Sequence, residues 1–160
     1  MQADIFELLE ASRLAVYIRQ SYILFPVIEI VHIIGFIFLT GSAFLFDLRL
    51  LGVSRQLAVT DLARHLLVWS RRSLLIVFPS GILLFITQAK SLGTSNVFGI
   101  KLILILLAFA NAFFFHRSTF RTVSKWNSMT STPLGAKAAA VISLLLWTGV
   151  ITCGRLIAYL

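Results

Sequence analysis

Four stretches of the chain stay apolar for about the 20 residues that a bilayer crossing demands, and short polar segments separate them. They run from Tyr22 to Phe46, from Ser73 to Ala89, from Val97 to Phe115 and from Ala138 to Tyr159. The second is short for a span, so its helix is expected to begin upstream, near Leu62, with Arg71 and Arg72 at the level of the lipid head groups. Pro79 is expected to kink it, because the ring removes a backbone donor and crowds the preceding turn. Ahead of the first span, MQADIFELLEASRLAVYIRQ interleaves Ile5, Leu8, Leu9, Leu14 and Val16 with acids and arginines. That pattern fits a short amphipathic helix lying on the membrane surface. It lacks the basic start, unbroken apolar run and small-residue cleavage site of a signal peptide. The predicted fold is all-α: an integral membrane four-helix bundle over residues 21–160, preceded by an interfacial amphipathic segment over residues 1–20.

Composition agrees. Of 160 residues, 59% are hydrophobic and 12% charged, against roughly 45–50% and 25% in soluble domains. One cysteine, Cys153, excludes a disulfide-stapled domain. The net charge of +8 does not imply nucleic acid, because the basic residues lie between the apolar segments. Arg49, Arg55, Arg64, Arg71 and Arg72 precede or open the second span; Arg117, Arg121, Lys125 and Lys137 lie between the third and fourth. Loops this basic face the cytoplasm, so both termini are expected in the periplasm of a bacterial inner (plasma) membrane. Trp69, Trp126 and Tyr159 are expected to anchor the interfaces.

The few polar residues inside the spans carry the functional signal, since each is costly in lipid. At about 1.5 Å per residue, Glu29, His32, Lys101 and Arg155 all fall in the half of the bilayer nearer the termini, on three helices. Glu29, Phe36, Thr40, Ala43 and Asp47 share one stripe of the first helix at 100° per residue, with His32 beside it. A structural reading pairs Glu29 with Arg155 or Lys101. A second group gathers at the opposite ends: Asp47, Arg49, Arg64, His65, Asn111 and His116. His65 and His116, facing each other from two helices, are what a six-coordinate heme needs. His32 has no second histidine near it and would hold iron alone. A di-iron site lacks its further carboxylates, and a structural zinc site lacks its ligands.

Five segments, E29-I-V-H32-I-I-G35, D47-L-R-L-L-G52, N96-V-F-G-I-K101, N111-A-F-F-F-H116 and G154-R155-L-I-A-Y159, together resemble a bacterial family of small four-helix membrane proteins of unknown function. The resemblance runs from about Phe6 to Leu160 and implies a fold and a membrane location. The layout is also remotely similar to the copper-resistance D proteins and to the HemJ-type protoporphyrinogen oxidases, which bind heme b. His32 and Lys101 fall where the latter have an essential histidine and lysine. The stretch after Asp47 lacks that family's proline and closing histidine.

The leading expectation is a heme b protein acting in electron transfer or membrane-linked oxidation, its partner a quinone, a porphyrinogen or another redox carrier. His32 ligates the iron in that reading, alone or with His65 and His116 forming a separate pair. Lys101 and Arg155 meet the propionates, and Glu29, Asn111 and Asp47 orient ligands or relay protons. The alternative is a non-catalytic membrane subunit or scaffold, in which the same charges lock helix packing. A third reading is transport of a metal ion or small solute. Copper(I) prefers sulfur ligands, and the chain offers Met1, Met129 and Cys153, which share no path. Partners otherwise comprise the lipid bilayer and a second copy of the chain, with no nucleic acid.

Overall fold

The computed structural model describes residues 4–159, and Met1 and Leu160 lie outside them. Seven α-helices follow in order: α1 (Ile5–Glu10), α2 (Arg13–Gln20), α3 (Leu24–Leu51), α4 (Val59–Thr87), α5 (Ala89–Gly93), α6 (Asn96–Arg117) and α7 (Leu134–Ile157). A 3-10 helix, Thr119–Lys125, joins α6 to α7. Four of them, α3, α4, α6 and α7, are long and apolar enough to cross a membrane, and the chain is a multi-pass membrane protein. The helix is forced by the solvent: in hydrocarbon every backbone N–H and C=O must find its partner within the segment.

Each span runs to the point where a local signal stops it. α3 continues past Phe46 to Leu51, where Gly52 takes the left-handed conformation (φ 109°) and closes the end. The Val53 N–H bonds the Leu48 carbonyl there, at 3.0 Å, the capping pattern that favours glycine. α4 begins at Val59, a turn before the expected Leu62, and continues as one helix through Pro79. Its own cap residue, Ala58, offers no side-chain acceptor. Asn127, 67 residues away, caps it instead: Oδ1 accepts from the Thr60 N–H at 2.9 Å, and Nδ2 donates to the Thr60 hydroxyl at 3.0 Å. The N-terminal segment forms two helices in place of the single one expected. Ser12 starts a new helix by accepting from the Ala15 N–H, which interrupts the run.

The spans pack in the order α4–α3–α7–α6, and α4 and α6 barely touch. They meet at the terminal end, where Phe85 stacks on Phe98 at 5.4 Å between ring centres. The bundle is thus a horseshoe with a seam between α4 and α6. Two apolar clusters hold it. Phe46, Leu50, Val59, Phe115 and Trp126 form one at the basic-loop end. Leu39, Ala108, Trp147 and Val150 form the other near mid-span. Trp126 belongs to the first and is buried, its Nε1–H donating to the Thr122 hydroxyl. It therefore packs the loop core and is not an interfacial anchor, which corrects the expectation from its position. Large exposed residues such as Ile33, Ile37, Leu106 and Leu145 cover the outside, as lipid contact allows and water would not.

The helices α1, α2 and α5 close the terminal end through ion pairs. Lys90 Nζ bonds Glu7, the Lys90 N–H donates to Glu10 Oε2 at 2.9 Å, and Arg19 Nη1 reaches Glu10 Oε1 at 3.1 Å. The Lys90 hydrogen bond and charge hold the Glu7 carboxyl below its ordinary range, and Glu7 raises Lys90 in return. A depressed carboxyl contributes stability above its unfolded value, about 4.3, and loses it as pH falls through the lower folded value. The raised Lys90 contributes below its unfolded value, about 10.4, and loses it as pH rises through the higher folded one. Spin labels on α1 and α5 are therefore expected to report docked helices at neutral pH and loosening at both extremes. Glu7→Gln should abolish the acid transition; its persistence in that variant would assign it to another group.

Candidate functional site

Every spanning helix contributes to one cluster in the terminal half. His32 comes from α3, Ser80 and Gly81 from α4, Lys101 from α6, and Cys153 and Gly154 from α7. His32 Nδ1 lies 3.0 Å from Ser80 Oγ. That hydroxyl sits 2.6 Å from the Ile76 carbonyl and 3.2 Å from that of Val77. A serine has one hydrogen to give. With it directed to Ile76, Ser80 accepts from His32, the proton resides on Nδ1, and Nε2 carries a bare lone pair. A histidine oriented through one nitrogen by a hydrogen bond, leaving the other free, is the usual arrangement of a metal ligand or proton acceptor.

Gly81 makes room for the ring. A Cβ there would lie 3.1 Å from His32 Cε1, so a side chain would press on the imidazole. One turn-pair along the same interface, a Cβ on Gly35 would lie 2.9 Å from Val77 Cγ2, so α3 and α4 approach closely here. Across the bundle, the Lys101 charge is near enough to act on His32 and on Cys153, and Lys101 Nζ lies 3.7 Å from where a Gly154 Cβ would sit.

The charges expected to pair do not. Among the described residues neither Lys101 nor Glu29 forms a salt bridge, and Glu29 is exposed on the stripe whose next members, Phe36 and Ala43, pack toward Trp147. Arg155 is exposed, stacks on the Tyr159 ring at 4.7 Å and bonds its hydroxyl. The structure thus sets His32 against Ser80 of α4 and Lys101 beside Gly154 of α7, and leaves Arg155 at the helix end.

At the basic-loop end the polar residues separate into different jobs. Asp47 and Arg49 are both inside α3, some 200° apart round the helix axis. Arg49 is 2% exposed and points to the loops, where it donates to the carbonyls of Leu57, Arg55 and Asn127. Asp47 faces the bundle. Asn111 Nδ2 donates to the Ala139 carbonyl of α7 at 2.9 Å. His65 and His116 are both exposed, each with Nδ1 turned back to a carbonyl of its own helix, Asp61 and Ala112. His116 packs between Phe115 and Phe120. Since α4 and α6 barely touch, nothing among the described residues joins the two imidazoles.

The sequence marks Pro79 as a kink and does not single out Ser80 or Gly81, which the structure sets against His32. The available signal was depth: small residues on α4 and α7 at the level of His32. Among the described residues no group of three or more His, Cys, Asp or Glu stands where it could hold a metal ion.

Residues 5–160 match the model of a family of unknown function, DUF6644. No curated protein and no solved structure matches the chain, and the comparisons give no support to a likeness to the copper-resistance D or HemJ-type proteins.

Proposed function

The chain belongs to this family of unknown function, and from that premise we propose that it is a heme b protein of the bacterial inner membrane, acting in electron transfer or membrane-linked oxidation. The observation that carries this reading is the state of His32: Ser80 holds Nδ1 at 3.0 Å, and Nε2 has no hydrogen-bond partner among the described residues. The residues fit a heme better than a bare metal ion, because heme iron asks the protein for one or two axial ligands, whereas a structural ion needs about four. Bound heme supplies one-electron transfer. His32 would ligate it, and Lys101, with no carboxylate beside it among the described residues, would meet a propionate in a charge-assisted hydrogen bond. Glu29, one turn outward from His32, would exchange protons with the aqueous edge. A flat, lipid-soluble partner, a quinone or porphyrinogen, would reach such a heme from the bilayer. The basic loops support a topology with both termini in the periplasm, in which this site would lie in the outer half of the membrane.

An absorbance spectrum of the purified protein, oxidised and dithionite-reduced, tests the reading. A broad, high-spin heme spectrum is expected, consistent with His32 alone and an open coordination position. His32→Ala should lose the chromophore while the bundle still inserts. A sharp low-spin spectrum that survives His32→Ala would move the iron elsewhere, His65 and His116 being the remaining imidazoles. A colourless protein after expression with ample heme would overturn the proposal and leave a non-catalytic membrane subunit.

A further inference from the structure

Between the four spans in the basic-loop half lies a largely apolar cavity of about 100 Å³, with a few polar groups in its wall, which the heme reading does not use. Its polar lining comes from all four spans: Asp47 of α3, Ser70 of α4, Asn111 and His116 of α6, and Ser143 of α7. Asp47 is only 6% exposed, and its Oδ2 has no hydrogen-bond partner among the described residues. The Ser143 hydroxyl faces the same carboxyl. Arg49, two residues on, is turned away and held by loop carbonyls, and among the described residues no cation forms a salt bridge with Asp47.

A buried carboxylate without a cation is driven to take up a proton. The surroundings suit one. Of the residues facing the cavity from the packed helices, His116 is the only other titratable group. Its Nδ1–H is held by the Ala112 carbonyl, so Nε2 is an acceptor. Asn111 spends an amide hydrogen on Ala139, which leaves its Oδ1 free to accept as well. The volume is several times the ~10–15 Å³ that one water needs. Toward the terminal half, the packed Leu39, Ala108, Trp147 and Val150 close the space. Toward the basic loops, His116 is exposed and forms its mouth.

We propose that this cavity is a proton-binding site open to the basic-loop side alone. A proton from bulk water on that side passes His116 and the cavity water to Asp47 Oδ2, making one O–H bond, and leaves by the same route. The proposal is independent of heme at His32, about 22 Å away along α3 at 1.5 Å per residue.

Infrared difference spectra of the full chain in lipid nanodiscs, taken as pH is stepped, test it. A protonated-carboxyl stretch is expected to grow as pH falls and to shift in deuterium oxide. It should vanish in Asp47→Asn, move in frequency in Asp47→Glu and persist in Glu29→Gln and Asp61→Asn, the other two carboxyls on the spanning helices. If Asp47→Asn fails to insert, the displacement in Asp47→Glu decides. A wild-type spectrum without the band, or a band that disappears only in Glu29→Gln or Asp61→Asn, overturns the proposal. So does a band abolished by exchanging choline for sodium at fixed pH, which would make the ligand a metal ion. His32→Ala is expected to leave the band unchanged.

Discussion

Replacing Arg49 with methionine is expected to lower the stability of the folded bundle by about 3–5 kcal/mol, the largest single-residue effect outside the apolar core. The guanidinium is 2% exposed. Its Nε donates to the Leu57 carbonyl at 2.7 Å, and Nη2 donates to Arg55 at 3.1 Å and Asn127 at 3.2 Å. Methionine matches much of the length but donates nothing, so three carbonyls lose a charge-assisted partner while still enclosed. The effect reaches further because Asn127 also caps α4 through Thr60. Loosening that loop uncaps the helix. Arg49→Lys should fall between, since an ammonium keeps the charge but cannot reproduce the planar fork that meets carbonyls in several directions. Thermal unfolding in detergent gives the comparison. A methionine variant indistinguishable from wild type would mean that the loops hold themselves together without this residue.

The second large effect is expected at Gly81. A Cβ would already stand 3.1 Å from His32 Cε1, and valine adds two methyl groups behind it. The imidazole has to leave Ser80, so Gly81→Val combines overpacking, about 1–3 kcal/mol, with loss of the bond that fixes the Nδ1 proton. If His32 holds heme as proposed, heme retention should fall with it. Gly35→Ala is the matched control. Its Cβ would meet Val77 Cγ2 at 2.9 Å, straining the same α3–α4 interface without touching His32. It should cost comparable stability and keep the chromophore. Equal heme retention in the two variants would detach Gly81 from the site, and equal loss would reduce the effect to helix packing.

The positions of His32, Lys101 and Asp47 along their spans were legible in the sequence, because an ionisable residue in an apolar run stands out by its cost. What those residues touch was not. The expected pairing of Glu29 with Lys101 or Arg155 required the charges to face one another, whereas Glu29 is exposed and Arg155 turns to its own Tyr159. Ser80 and Gly81 carried no charge to mark them, and their role exists only because α3 lies against α4. Trp126 shows the same limit from the other side. Its place beside basic residues suggested an interface, but burial in the loop core depends on Phe115, Ala136 and Val59 arriving from three separate helices.

The sequence by itself determined that four segments become helices spanning a bilayer, and nearly where each begins and ends. Lipid offers the backbone no partners, so an apolar run must satisfy its own hydrogen bonds locally, and glycine, serine and proline mark the stops. Only the tertiary structure decided that the bundle opens between α4 and α6, that Asp47 and Arg49 face opposite ways into different surroundings, and that Asn127 caps a helix 67 residues distant. Those outcomes depend on which helices become neighbours. That choice is made by packing summed over whole helix faces, and no local window of residues contains it.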